Sequence, residues 1–382
     1  MKSEILKVPE LARFVEFANT SAKSISDGMA SSYIRKKRAF EASLVQYRKT
    51  GSIDMSRISQ YKVSDDIFTN RSITKDGKSH GLYLCFDWSG SMSDQVPRMA
   101  IQYLIVTLFC KKAGIPFEVA TFTSSGHNNV AFWGSLRQTI IADNTMTISE
   151  LITVYNHMVC SQSQAARSKL SSEYRTFLQT NFDMGGTPLH ESAIASYIDA
   201  VNLRNRYDLQ NVTIMYVTDG DGAQLYGQNS ENTRRAGGTI VCPFTKRQYD
   251  VRNYGKGTSY QAQLSPINRM CRDAGLKVFN VFIGSETQMN ALLPRMHDDS
   301  DVKLTDFKRT TESGFVSFEN FAYYNRFVVA SKQAFPTLSR ETAAYGEVSS
   351  AQSFRSSLKS NKSLSVLGRM IVDEICEDFK IK

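Results

Sequence analysis

Leu82-Tyr83-Leu84-Cys85-Phe86 runs straight into Asp87-Trp88-Ser89-Gly90-Ser91-Met92-Ser93. The first stretch is apolar and short, as a strand buried on both faces requires. The second is made largely of turn formers. After it, Val96, Met99, Ala100, Tyr103, Leu104 and Leu108 return at three- and four-residue steps and mark one face of a helix that stops near Gly114. A buried strand, a polar turn and a helix make the opening half of a strand–helix–strand unit.

The same alternation continues outward. Residues 117–122 read as a second strand, and 130–133 as a strand beside it. Residues 147–181 read as largely helical, 183–188 as a loop and 189–201 as a further helix. Residues 212–217 form a strand, 218–222 a loop, 264–274 a helix and 277–283 a strand, with a polar, Gly-containing interruption over 223–262. Strands alternating with helices at this spacing predict an α/β fold: a doubly wound, mostly parallel, Rossmann-like sheet with helices on both faces.

Helical extensions flank this unit. Leu6, Leu11, Phe14 and Val15, then Tyr33, Ile34, Phe40, Leu44 and Tyr47, recur at helical steps, and Thr50-Gly51 ends the run. The far end carries a Ser-rich stretch over 349–363, then Leu364, Leu367, Ile371 and Ile375 on one helix face. The expected organisation is a helical N-terminal extension (1–79), an α/β domain (80–304) with an insertion near 223–262, and a C-terminal extension (305–382).

Composition bounds the function classes. At 382 residues with 41% hydrophobic and 22% charged side chains, the chain can bury a sizeable core, which excludes wholesale disorder. No apolar run approaches the roughly 18 residues of a membrane helix. The opening MKSEILKVPELARF does not read as a signal peptide, and the six cysteines show no CxxC spacing. Reduced thiols and a cytoplasmic location are the expectation. The net charge of +9 is concentrated early, with fifteen Lys/Arg against nine Asp/Glu in residues 1–80. Arg35-Lys36-Lys37-Arg38, flanked by Tyr33 and Phe40, suits either a solvated helix face or a nucleic-acid contact. The interruption is also basic, with Arg234, Arg235, Lys246, Arg247, Arg252 and Lys256 interleaved by Tyr249, Tyr254 and Tyr260, which suits a solvent-exposed insertion or an acidic or nucleic partner.

Three loops carry the candidate chemistry. Asp87-x-Ser89-x-Ser91 follows the first strand, Thr187 follows Gly185-Gly186, and Asp219 follows a later apolar strand. In a doubly wound sheet the loops at the strand carboxyl ends meet in one crevice. Two carboxylates and three hydroxyls form an all-oxygen set, which favours a hard cation: Mg²⁺, Mn²⁺ or Ca²⁺. The other reading of these residues is turn and cap chemistry of an ordinary α/β protein.

Asp87-x-Ser89-x-Ser91, Thr187 and Thr218-Asp219-Gly220, in that order, resemble the metal-ion-dependent adhesion site (MIDAS) of von Willebrand factor A (vWA) domains, over about residues 80–300. The resemblance implies a vWA fold, the metal ligands Asp87, Ser89, Ser91, Thr187 and Asp219, and an acidic residue of a protein ligand completing the coordination. Gly51-Ser52-Ile53-Asp54-Met55-Ser56-Arg57, Ile67-Phe68, residues 86–92 and Phe117-Glu118-Val119-Ala120-Thr121-Phe122-Thr123 are similar to the cobaltochelatase CobT-type subunit. That family implies a partner AAA+ ATPase of the MoxR or CobS type. It also occurs in large tailed bacteriophages; a phage-encoded chain would work in the host cytoplasm. The chain departs from it in lacking a long acidic tract.

Other signals fail. Gly255-Lys256-Gly257-Thr258 is no phosphate loop, because position 250 is Asp where glycine is needed. His190-Glu191 has Ile194 where a zinc protease needs histidine. No G-x-S-x-G elbow is present. No catalytic residue and no organic cofactor are assigned. The function expected is a metal-dependent, adhesion-type protein-binding subunit working beside an ATPase. The alternatives are an accessory subunit in tetrapyrrole metal insertion and a nucleic-acid-associated factor.

Overall fold

A computed structural model describes residues 9–48, 55, 58–62, 71–74, 79–124, 136–163, 167–220, 238–251, 264–285, 287–288, 315–320, 323–332, 334–335 and 366–377. Its centre is a seven-stranded sheet. Strand β3 (His80–Asp87) is buried at every position, as its apolar run demands. To one side lie β4 (Phe117–Ser124) and β5 (Leu136–Asp143); to the other lie β6 (Asn211–Thr218), β9 (Leu276–Ile283), β11 (Arg326–Ala330) and β10 (Phe315–Glu319). The order is β10-β11-β9-β6-β3-β4-β5. The pairs from β11 through to β4 are parallel, and the two outermost pairs are antiparallel. The mostly parallel, doubly wound α/β fold expected from the sequence is the fold observed. The strand order reverses between β3 and β6, so their carboxyl ends flank the topological switch point.

Helices cover both faces. On one lie α1 (Pro9–Phe17), α2 (Lys23–Leu44), α3 (Val96–Ala113), α4 (Ile148–Gln162), α5 (Ser172–Asn181) and α8 (Val366–Glu377). On the other lie α6 (Leu189–Arg206) and α7 (Leu264–Asp273). Helix α3 is buried along most of its length, and Gly114 ends it in the left-handed conformation (φ 68°). Leu11, Phe14, Phe17 and Tyr33 of the N-terminal helices share a core with Leu82, Leu84 and Phe86 of β3. The helices before residue 80 are therefore packed into the same body as the sheet. Tyr33 stands edge-on to Phe109, so this aromatic beside the basic run faces the core.

The chain after residue 304 also joins this body. β10 and β11 extend the sheet past that boundary. Helix α8 lies on α2 and α3, where the Leu367 N–H donates to Gln102 Oε1 at 3.2 Å. Glu374, almost buried on α8, meets Lys277 at 3.6 Å and Arg326 at 3.8 Å.

Several local expectations are corrected. The first helical run ends at Leu44, because Val45–Arg48 (β1) pairs with Arg71–Thr74 (β2). The expected strand at 130–133 lies outside the described residues. The strand beside β4 is Leu136–Asp143, whose half-exposed edge position tolerates Arg137, Gln138 and Thr139 and so leaves no apolar run. The polar interruption holds a hairpin of β7 (Gly238–Val241) and β8 (Gln248–Val251). Among the described residues, no helix is long and apolar enough to cross a membrane.

Candidate functional site

Asp87 ends β3 and is fully buried. Register decides its surroundings: Phe86 lies opposite Val217, which brings Thr218 of β6 level with Asp87. The Thr218 hydroxyl donates to Asp87 Oδ2 at 2.6 Å. The other oxygen, Oδ1, is buried with no hydrogen-bond partner among the described residues. Such an acceptor costs about 1–3 kcal/mol if nothing satisfies it, and more if it is charged.

The turn after β3 folds back over this carboxylate. Ser89 is extended and forms an isolated parallel bridge with Gly185. Residues Gly90–Gln95 then make a 3₁₀ turn running into α3. The Ser91 hydroxyl donates to Asp219 Oδ1 at 2.7 Å, and Ser89 Oγ lies 3.0 Å from Ser91 Oγ. Hydroxyls thus bridge the loops of β3 and β6.

The Thr187 loop is held by β4. The N–H of Gly185 donates to Thr123 Oγ1 at 2.8 Å, and that of Gly186 to Ser124 Oγ at 2.6 Å. A side chain at Gly185 would place its Cβ 2.4 Å from the Ser124 carbonyl oxygen, so only glycine allows this approach. Trp88, between the two motif positions, donates its indole N–H to the Phe182 carbonyl at 3.2 Å and ties the loop from the core side. Thr187 then sits against Gly220, the residue after Asp219, with its Oγ1 3.3 Å from where a Cβ on Gly220 would stand. The structure therefore gathers Asp87, Ser89, Ser91, Thr187 and Asp219 around one spot. Asp87, Ser89 and Asp219 are buried, Thr187 is half-buried, and Ser91 is exposed on the solvent side.

Electrostatics match this burial. Burial pushes the Asp87 carboxyl up to about 7; the Thr218 hydrogen bond and weaker polar interaction with the Ser89 hydroxyl and N–H pull it down, and the Asp219 charge adds to the rise. Burial raises Asp219 as well, with the Ser91 hydrogen bond and the Lys332 charge opposing. Burial therefore disfavours the ionised form of both carboxylates. The donor set is all oxygen and one buried carboxylate oxygen lacks a hydrogen-bond partner among the described residues, so these residues fit a hard divalent cation. Among the described residues, no group of three or more His, Cys, Asp and Glu side chains is placed to hold a metal, so any cation here relies on hydroxyls as well as carboxylates.

Sequence reasoning missed Thr218 as a site residue, although it stands beside Asp219. Aligning the ends of the two buried strands would have found it. It also missed Thr123 and Ser124, which lie on another strand, and Lys332, which follows β11. Arg98 of α3 anchors that last segment by donating to the carbonyls of Lys332 and, at 3.1 Å, Phe335. Asp221 and Gly222 lie outside the described residues.

No family model matches the sequence, and no curated protein matches it. Among solved structures the chain is similar to the PilB minor pilin from Streptococcus sanguinis, with 13% identity over 81% of this chain and 64% of that one and a TM-score of 0.39. It is similar to the pilus adhesin SpaC from Lactobacillus rhamnosus GG, with 11% identity over 80% and 31% and a TM-score of 0.37. A third is the vWF domain of the type V pili tip protein Mfa5 from Porphyromonas gingivalis, with 7% identity over 81% and 98% and a TM-score of 0.36. The chain spans less than two thirds of the length of SpaC and of PilB.

Proposed function

We propose that this chain is a cation-dependent protein-binding module. Asp87, Ser89, Ser91, Thr187 and Asp219 would hold Mg²⁺, or Mn²⁺ or Ca²⁺, and the solvent side of the site would take a carboxylate from a protein partner. One observation carries the reading: among the described residues Asp87 Oδ1 is buried with no hydrogen-bond partner at the sheet's switch point, beside a second buried carboxylate. A protein seldom buries such an acceptor unless something satisfies it. When bound, the cation supplies two positive charges and a Lewis-acid bridge to an incoming anion. The chain's own residues do the rest. Thr218 orients Asp87, Ser91 orients Asp219, and Gly185 lets Thr187 approach. The three motif loops carry no His, Lys or Glu to act as a base, which favours binding over hydrolysis.

The resemblance to the CobT-type subunit adds the partner class. The module works beside a MoxR- or CobS-type AAA+ ATPase that remodels what the module holds.

Calorimetric titration with Mg²⁺ and Mn²⁺ tests the site directly, and saturable one-to-one binding lost in Asp87→Ala is expected. Silence with both cations would sink the reading. Capture of the ATPase encoded nearest this gene, with Mg²⁺ and with EDTA, tests the partner. Capture is expected only with Mg²⁺ and only for the unsubstituted chain.

A further inference from the structure

A cavity of about 280 Å³ opens beside α7, and its described lining shares no residue with the Asp87 cluster. Separate elements converge on it. Arg247 reaches in from the β7–β8 hairpin, Ser265 and Arg269 from α7, and Tyr323 from the turn between β10 and β11. Ser265 and Arg269 are four residues apart and share a helix face.

The cationic groups differ in how they are held. Arg247 is fixed in advance: it pairs with Asp273 at 2.7 Å and lies over the Tyr249 ring at 5.4 Å, while the Tyr249 hydroxyl donates to the same Asp273 carboxylate at 3.0 Å. Arg269 is exposed at the rim. The described lining carries two arginines and one aspartate, Asp250, and Asp273, outside the lining, takes part of the charge of Arg247. Tyr323 is 42% exposed and holds a left-handed backbone (φ 62°), which is uncommon for an aromatic residue and carries its ring to the cavity.

Planar guanidiniums facing a small polar cavity suit the oxygens of a phosphate group. A ring at the mouth suits a flat group attached to that phosphate. The volume falls at the small end of ligand sites, which span roughly 300–1,000 Å³. We propose that this cavity binds a phosphate monoester carrying an aromatic ring, the chemistry of a mononucleotide, with Arg247 and Arg269 on the phosphate and Tyr323 on the ring. Arg247, from the basic interruption of the sequence, thereby acquires a local role separate from the cation site.

The test is calorimetric titration of the full chain with adenosine monophosphate and with inorganic phosphate. EDTA is kept present so that phosphate on a divalent cation is not counted. Both probes should bind saturably at one per chain, the nucleotide more tightly, with affinity falling as salt rises. Arg269→Ala, at an exposed position, should weaken both probes about tenfold or more. Tyr323→Gly removes the ring without opposing its left-handed backbone. It should weaken the nucleotide about fivefold and leave inorganic phosphate unchanged. Asp87→Ala should change neither. No saturable binding of either probe, or binding unmoved by Arg269→Ala, would overturn the site. Equal affinity for the two probes would overturn the role given to Tyr323.

Discussion

The two edges of the sheet treat buried carboxylates in opposite ways. At the amino edge, Glu118 of β4 is 3% exposed and meets Arg206 at 2.6 Å. Glu374 of α8 meets Lys277 of β9 and Arg326 of β11. Burial still lifts the Glu118 pKa, with Arg206 pulling it back. At the carboxyl edge, Asp87 and Asp219 meet hydroxyls instead, and among the described residues the cation that acts on Asp219 is Lys332. Charges that a chain neutralises with its own residues hold the fold together. Charges that it buries and leaves for something else are where binding is to be sought. The comparison separates an edge whose buried carboxylates are paired within the chain from the edge that holds the proposed cation site.

The largest test of that contrast is Asp87→Ala. A cation present at a hundred times its Kd stabilises a chain that binds it only when folded by about 2.7 kcal/mol. Melting curves with and without Mg²⁺ should show that gain for the natural sequence and lose it in the variant. A full gain in the variant would break the contrast. Gly185→Ala comes next. Its methyl collides with the Ser124 carbonyl and should cost about 1–3 kcal/mol in chemical denaturation while weakening cation binding through the Thr187 loop.

Arg206→Ala probes the other edge. It leaves Glu118 buried without its cation, at a cost of about 1–2 kcal/mol. That is below the usual penalty for breaking a buried pair, because the Arg206 side chain is 58% exposed. Its Mg²⁺ affinity should not change.

The pH dependence sharpens the contrast further. Asp87 holds its proton up to about pH 7 when folded, whereas an unfolded aspartate releases it near 3.9. In the metal-free chain this contribution is therefore fully present below about pH 4 and is lost as pH rises through about 7. Cation binding must expel the same proton, so Mg²⁺ affinity should climb as pH rises through about 7, measured by titration from pH 5.5 to 8.5. The smallest expected effect is that of Lys332→Gln. Removing a positive charge that repels the incoming cation beside Asp219 should tighten cation binding about two- to fivefold.

Much of the fold could be read in advance wherever burial leaves a local pattern. The strands ending in Asp87 and Thr218 are continuous apolar runs because helices cover both their faces. Edge elements leave weaker patterns. β5 mixes Arg137, Gln138 and Thr139 with Ile140, which is 45% exposed, and so carries neither an apolar run nor a clean alternation. The β7–β8 hairpin hid inside a polar stretch, although Cys242 and Tyr249 are buried beneath it. At the site, the motif residues were legible because their oxygen chemistry and order are written locally. Thr218 as an orienting group, and Thr123 and Ser124 as anchors of the Gly185-Gly186 pair, depend on which strand lies beside which.

By itself, the sequence determined an α/β chain with oxygen donors at strand ends, because burial and turn chemistry act over a few residues. Only the tertiary structure decided that the helices before residue 80 and the strands after 304 complete one body. It also decided that Glu118 finds Arg206 while Asp87 Oδ1 finds no partner among the described residues. Those outcomes rest on register and on contacts between residues far apart in the chain. A one-residue slip of β6 against β3 would take Thr218 away from Asp87, and no local period in the sequence records that alignment.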